Sequence, residues 1–133
     1  LRTAWLYGPG GNNFVEKILR AADRHPSLRV VDDETGSPTH AWDLAVATRD
    51  IAGTDAFGTY HAVNTGSCSR FEFARTFLRM AGKDTPLAPC SAEEFPTKAA
   101  RPARAELSVA KLEAAGVSMR TWQDALAHYM RRR

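Results

Sequence analysis

The chain has 133 residues, 44% of them hydrophobic and 25% charged, enough for one compact domain that buries roughly two-thirds of its unfolded surface. A net charge of +3, with no nucleic-acid-binding fold pattern and no aromatic stacking platform, argues against a nucleic-acid partner. No apolar run approaches the roughly 20 residues that cross a bilayer, and no charged, apolar and small-residue signal opens the chain, so no membrane association is expected.

The chain opens inside an apolar segment, residues 1–6, that reads as a buried strand. A helix is predicted over 13–24, with Phe14, Ile18, Leu19 and Ala22 on one face, and His25-Pro26 ends it. A second strand spans 28–31. The acidic loop Asp32-Asp33-Glu34 and the turn Gly36-Ser37-Pro38-Thr39 then lead to a helix that Thr39 caps and Gly53 closes after Ala52. Residues 58–63 read as a third strand bounded by turn residues. Ser69 with Glu72 forms a capping-box pattern opening a helix over 71–81, whose Phe73, Phe77, Leu78 and Ala81 share a face. An extended piece at 85–89 precedes a proline-interrupted stretch, 91–104, read as loop with about one helical turn. Two helices finish the chain: 108–115, stopped by Gly116, and 121 to about 131, with Trp122, Ala125, Leu126 and Tyr129 on one face. No internal repeat or linker divides these elements, so residues 1–133 are expected to form a single region. The alternation of strand and helix predicts an α/β arrangement with parallel pairing. The first and third strands are expected side by side at one edge of a larger parallel sheet, which leaves an edge open to self-association or to a further segment.

Several reaction classes lack their residues. Gly8-Pro9-Gly10-Gly11 has glycines at the wrong spacing for a dinucleotide-binding turn and a proline among them. Tyr7, Tyr60 and Tyr129 have no lysine four residues on, and Tyr129 meets Arg133 instead, so ketone reduction has no visible general acid and no catalytic residue is assigned. Gly66-Ser67-Cys68-Ser69 is not a nucleophile elbow, and the histidines at 25, 40, 61 and 128 lack zinc-ligand spacing, so neither hydrolysis nor a metal is expected. Cys68 and Cys90 form no disulfide framework, and reduced thiols in a cytoplasmic protein are the simpler reading. Arg131, Arg132 and Arg133 are a basic tail that either favours anions or simply frays into solvent.

Binding chemistry remains. Asn13 either offers amide hydrogens to a phosphate at a helix start or, with Glu16 at the third helical position, simply caps that helix. Trp5 sits at a strand end, where an indole packs against a sugar ring or into a core. Arg101, stiffened by Pro102, carries a guanidinium fork that suits pyrophosphate oxygens or faces solvent. Ser37 lies in a turn that leads into a helix cap.

Arg2-Thr3-Ala4-Trp5-Leu6-Tyr7-Gly8, Gly11-Asn12-Asn13-Phe14, Gly36-Ser37-Pro38-Thr39, Phe95-Pro96-Thr97 and Arg101-Pro102 occur in that order. Together they resemble the dTDP-4-dehydrorhamnose reductases, a branch of the extended short-chain dehydrogenases, over nearly the whole chain; Arg104 stands where that family usually has asparagine. The resemblance implies the C-terminal, substrate-binding part of an extended Rossmann-type reductase: parallel strands given to a larger sheet plus a small, mainly helical subdomain. It implies that the N-terminal dinucleotide-binding region lies outside this chain. Trp5, Asn13, Ser37 and Arg101 then fall to a dTDP-sugar, dTDP-4-dehydro-L-rhamnose, in the synthesis of dTDP-L-rhamnose for cell-surface polysaccharide. NADPH or NADH would serve the complete family enzyme, with no cofactor held by this chain alone. A non-catalytic nucleotide-sugar-binding or regulatory module, and another extended short-chain dehydrogenase acting on nucleotide sugars, are the alternatives.

Overall fold

The computed structural model describes residues 1–95 and 101–133. Pro96 and Thr97 of the Phe-Pro-Thr motif lie outside the described residues. In chain order the elements are β1 (Leu6–Tyr7), α1 (Phe14–Ala22), β2 (Leu28–Val31), β3 (Thr35–Gly36), β4 (Thr39–His40), α2 (Ala41–Ala52), β5 (Cys68–Ser69), α3 (Arg70–Met80), β6 (Leu87–Cys90), a single 3-10 turn (Ala92–Glu94), β7 (Arg104–Ala105), α4 (Ala110–Ala114) and α5 (Trp122–Arg132).

Helices α1, α3 and α5 form where the apolar spacing and caps place them. Asn13 accepts from the Glu16 amide at 3.2 Å, Ser69 from the Glu72 amide at 3.0 Å and Thr121 from the Asp124 amide at 3.2 Å, each satisfying an amide that the helix leaves without a partner. Glu16 does not reach back to complete a box. Its carboxylate instead accepts from the Tyr129 hydroxyl at 2.6 Å and from Arg133 at 2.7 Å, so the basic tail is tied at its last residue to α1.

The strands depart further from expectation. Residues 1–6 do not run as one strand: Arg2 makes a single parallel bridge to His61, with Arg2 N–H donating to Tyr60 at 2.8 Å and Ala62 N–H to Arg2 at 2.8 Å. Trp5 then turns the backbone at a φ of 42°, and β1 pairs in parallel with β4. The chain switches partners because a left-handed residue cannot continue a ladder. Thr39 is therefore not the cap of α2. It is a fully buried strand residue whose hydroxyl donates to the Ser37 carbonyl at 3.2 Å, and His40 occupies the cap position. β2 pairs with β6 in parallel, and β3 lies between antiparallel β5 and parallel β7.

Two apolar clusters hold these pieces. The larger packs Val15, Leu19, Phe73, Phe77, Leu78, Trp122, Leu126 and Tyr129 from α1, α3 and α5 against Val30 of β2 and Tyr7 of β1. The smaller gathers Ala47, Tyr60, Ala62, Leu112, Val117 and Met119 between α2, α4 and the segment bridged to Arg2.

Between the clusters runs a polar seam. Asn64, without exposed surface, accepts from the His40 amide at 2.8 Å and donates to the Asp43 carboxylate at 2.7 Å and the Arg120 carbonyl at 3.2 Å. Arg120 donates to both Asp43 oxygens. Burial pushes the Asp43 carboxyl up, but the hydrogen bonds from Arg120 and Asn64 and the Arg120 charge outweigh it and hold Asp43 below the usual carboxylate range. Arg133 does the same for Glu16. His40 is pulled down first by burial and then, against the opposing charge of Asp43, by His128 and Arg120, and His128 is pulled down first by burial and then by Arg120. Every one of these folded-state values lies below its unfolded one. The stability they contribute is thus present in full above the unfolded value and lost as pH falls through the folded one. Urea denaturation should accordingly show a plateau of stability between about pH 7 and pH 8, a shallow decline beginning near pH 6.5 from the histidines, a steep loss below about pH 4 from the carboxylates, and a loss above about pH 8.5 as Cys68, Cys90 and Tyr129, whose values burial raises, ionise in the unfolded chain. A midpoint unchanged between pH 7 and pH 5 would exclude buried neutral histidines.

Candidate functional site

Trp5 anchors a cluster built from four separate segments. Its left-handed backbone is a conformation that costs a bulky residue about 1–3 kcal/mol, and such strain persists where surrounding contacts over-determine it. The contacts are visible. A Cβ built on Gly36 would lie 2.5 Å from indole Cε2 and 2.8 Å from both its bonded neighbours Cζ2 and Nε1, which places Gly36 against the ring face. Only a glycine allows that approach.

The guanidinium of Arg70, the first residue of α3, lies over the Trp5 ring at 4.3 Å from its centroid and 5.6 Å from that of Phe14. Glu34, whose side chain is 10% exposed, accepts from Arg70 Nε at 2.7 Å and stands 4.0 Å from Arg101 Nη1. Its carbonyl also takes the Arg70 amide at 3.3 Å. The segment carrying Arg101 is zipped onto β3 by the Thr35 amide to Ala103 at 2.8 Å, the β3–β7 ladder, and the Thr35 hydroxyl to Glu106 at 2.7 Å.

The four residues singled out by sequence are thus unequally placed. Trp5 and Arg101 enter one cluster through Glu34 and Arg70. Ser37 is buried next to Gly36, beside the indole. Asn13 stands at the margin, linked through Phe14, and both its polar atoms have intramolecular partners: Oδ1 caps α1, and Nδ2 donates to the Gly8 carbonyl at 2.8 Å. That bond folds the glycine loop back on the helix start. A Cβ on Gly8 would also sit 2.9 Å from the Ala41 Cβ, so this loop closes against α2.

Arg70 and Glu34 are the members that sequence reasoning missed. A cation in the first turn of a helix opposes the helix dipole, and that misfit was the available signal for a partner outside the helix. Taken together, an indole wall, a glycine floor and two guanidinium groups suit an anion that carries a ring.

The pattern of the RmlD substrate binding domain family matches residues 1–133, the whole chain. The chain belongs to that family. It is similar to the spore coat polysaccharide biosynthesis protein SpsK of Bacillus subtilis, 41% identical over 133 residues, covering 100% of this chain and 47% of SpsK. It is likewise similar to the dTDP-4-dehydrorhamnose reductase of Sinorhizobium fredii, 37% identical over 136 residues, covering 93% of this chain and 46% of the reductase. Among solved structures, the dTDP-4-dehydrorhamnose reductase of Bacillus anthracis in complex with NADP superposes with a TM-score of 0.95 at 39% identity, over 99% of this chain and 47% of that one. This RmlD-family chain therefore spans about half the length of the relatives it matches. Its α/β fold is that of the corresponding part of the extended short-chain dehydrogenase/reductases of this kind, as the sequence motifs led us to expect.

Proposed function

We propose that this chain is the nucleotide-sugar-binding portion of an NAD(P)H-dependent dTDP-4-dehydrorhamnose reductase, acting in dTDP-L-rhamnose synthesis for polysaccharide. The observation that supports the reading is the run of contacts from Trp5 through Arg70 and Glu34 to Arg101, with Gly36 against the indole, in a chain matched throughout by a substrate-binding family. Trp5 and Ser37 border the sugar, Arg101 takes the pyrophosphate, and Asn13 lies at the substrate site, where it holds the glycine loop at the mouth. The similar Bacillus anthracis reductase binds NADP. Here the closed glycine loop argues that the dinucleotide is held by residues other than these, and a reductant bound there would supply the hydride. The exposed Leu1 and Leu6 beside the Arg2 bridge mark the edge at which a cofactor-binding segment, or a second copy, would pair.

Calorimetry with dTDP-L-rhamnose tests the reading. Arg101→Ala is expected to weaken binding about ten- to hundredfold, the worth of a charge-assisted hydrogen bond. A folded wild-type protein that binds no dTDP-sugar would overturn it.

A further inference from the structure

Arg101 is not the sole cation at the Trp5 face. Glu34 joins its carboxylate to Arg70 through Nε alone, at 2.7 Å, and the two Nη groups of Arg70 donate no hydrogen bond to any described residue. Those groups form the edge of the fork that pairs with two anionic oxygens at once. The same carboxylate faces Arg101 Nη1 at 4.0 Å, so one acidic residue sits between two guanidinium groups drawn from segments far apart in sequence. Two positive groups side by side repel unless an anion lies between them. The single charge of Glu34 compensates one, which leaves the trio with a net positive charge facing a ring wall.

On the reading that this face takes a nucleoside diphosphate-sugar, we propose that Arg70 is a second pyrophosphate-binding residue and that Glu34 is a positioning residue, setting Arg70 and Arg101 as the two jaws of one clamp. The Trp5 ring, 4.3 Å from the Arg70 guanidinium, and the Glu34 carboxylate on Nε together hold the group in place. A lysine in its place would keep the charge and lose both constraints. A ligand phosphate then meets a fork already oriented, so little side-chain entropy remains to be lost on binding.

Affinities for dTDP and for inorganic pyrophosphate, measured by calorimetry on the wild type and on Arg70→Met, Glu34→Ala and Glu34→Gln, test the clamp. Arg70→Met keeps an apolar stem over Trp5 and is expected to weaken both ligands about ten- to hundredfold and to flatten the salt dependence of binding. Glu34→Ala should weaken both several-fold, and Glu34→Gln, which still accepts from Nε, should restore most of the loss. A merely structural role for Glu34 would leave the salt dependence untouched. Unchanged affinities in Arg70→Met overturn the clamp, as does tighter binding in Glu34→Ala, the result expected if Glu34 only competes with the ligand. Should Arg70→Met fail to fold, the Glu34 pair decides the matter on its own. Pyrophosphate binding that depends on Arg70 without any dTDP binding would sink the nucleotide-sugar reading and leave the clamp standing. Loss of dTDP binding in Arg101→Ala but not in Arg70→Met does the reverse, and a wild type that binds neither ligand overturns both.

Discussion

Replacing Asn64 with alanine is expected to destabilise the protein by about 3–5 kcal/mol, a large part of the 5–15 kcal/mol typical of a domain. The fully buried amide uses three hydrogen bonds to join three parts of the chain: the His40 amide at the start of α2, the Asp43 carboxylate one turn on, and the Arg120 carbonyl ahead of α5. Alanine leaves the His40 N–H without an acceptor, a cost of about 1–3 kcal/mol for a buried unpaired group, and takes from Asp43 one charge-assisted bond worth about 1.5–3 kcal/mol, leaving that carboxylate to Arg120 alone. Asn64→Asp should be worse than alanine at pH 7, because it sets a second carboxylate against Asp43. Urea midpoints at constant slope measure both, and a loss under about 1 kcal/mol for Asn64→Ala would mean that water replaces the amide.

Gly36→Ala should remove the candidate site in one step. The added Cβ would lie 2.5 Å from the Trp5 ring, so the indole must leave its seat and its contact with the Arg70 guanidinium. Overpacking of this kind costs about 1–3 kcal/mol of stability. Losing the indole wall and the oriented Arg70 together is expected to weaken dTDP-sugar binding by about a hundredfold, two contacts of about tenfold each. Quenching of tryptophan fluorescence by ligand, followed alongside a thermal melt, separates the two effects. A well-folded Gly36→Ala protein with wild-type affinity would place the ligand elsewhere, for instance in the groove of about 360 Å3 between α2 and α5, lined in part by Pro9, Trp42, His128 and Tyr129.

The helical half of the fold was legible because helix signals are local. Phe73, Phe77 and Leu78 in α3, and Trp122, Ala125, Leu126 and Tyr129 in α5, recur at helical spacing and are all buried. Asn13, Ser69 and Thr121 cap helices from positions adjacent to them in sequence. The ordered motifs around Trp5 and Arg101 were likewise readable as short strings, which is why the family could be recognised from residues alone. What local pattern could not supply was pairing. β1, β3, β4, β5 and β7 are two residues long, too short to show any alternation, and Leu6 takes Thr39 as its partner because Trp5 turns the backbone between the Arg2 bridge and β1. Thr39 carries the residue type of a cap, yet it is buried in a strand, since β1 claims its backbone first. Asn64 in its polar seam and Glu34 against Arg70, 36 positions away, depend on groups brought together only by the folded chain. Periodicity and capping act within a turn or two of helix, whereas a buried amide or carboxylate is tolerated only where distant donors converge on it, so sequence determined the helices and the family, and tertiary structure alone decided the strand partners and the charge pair at the site.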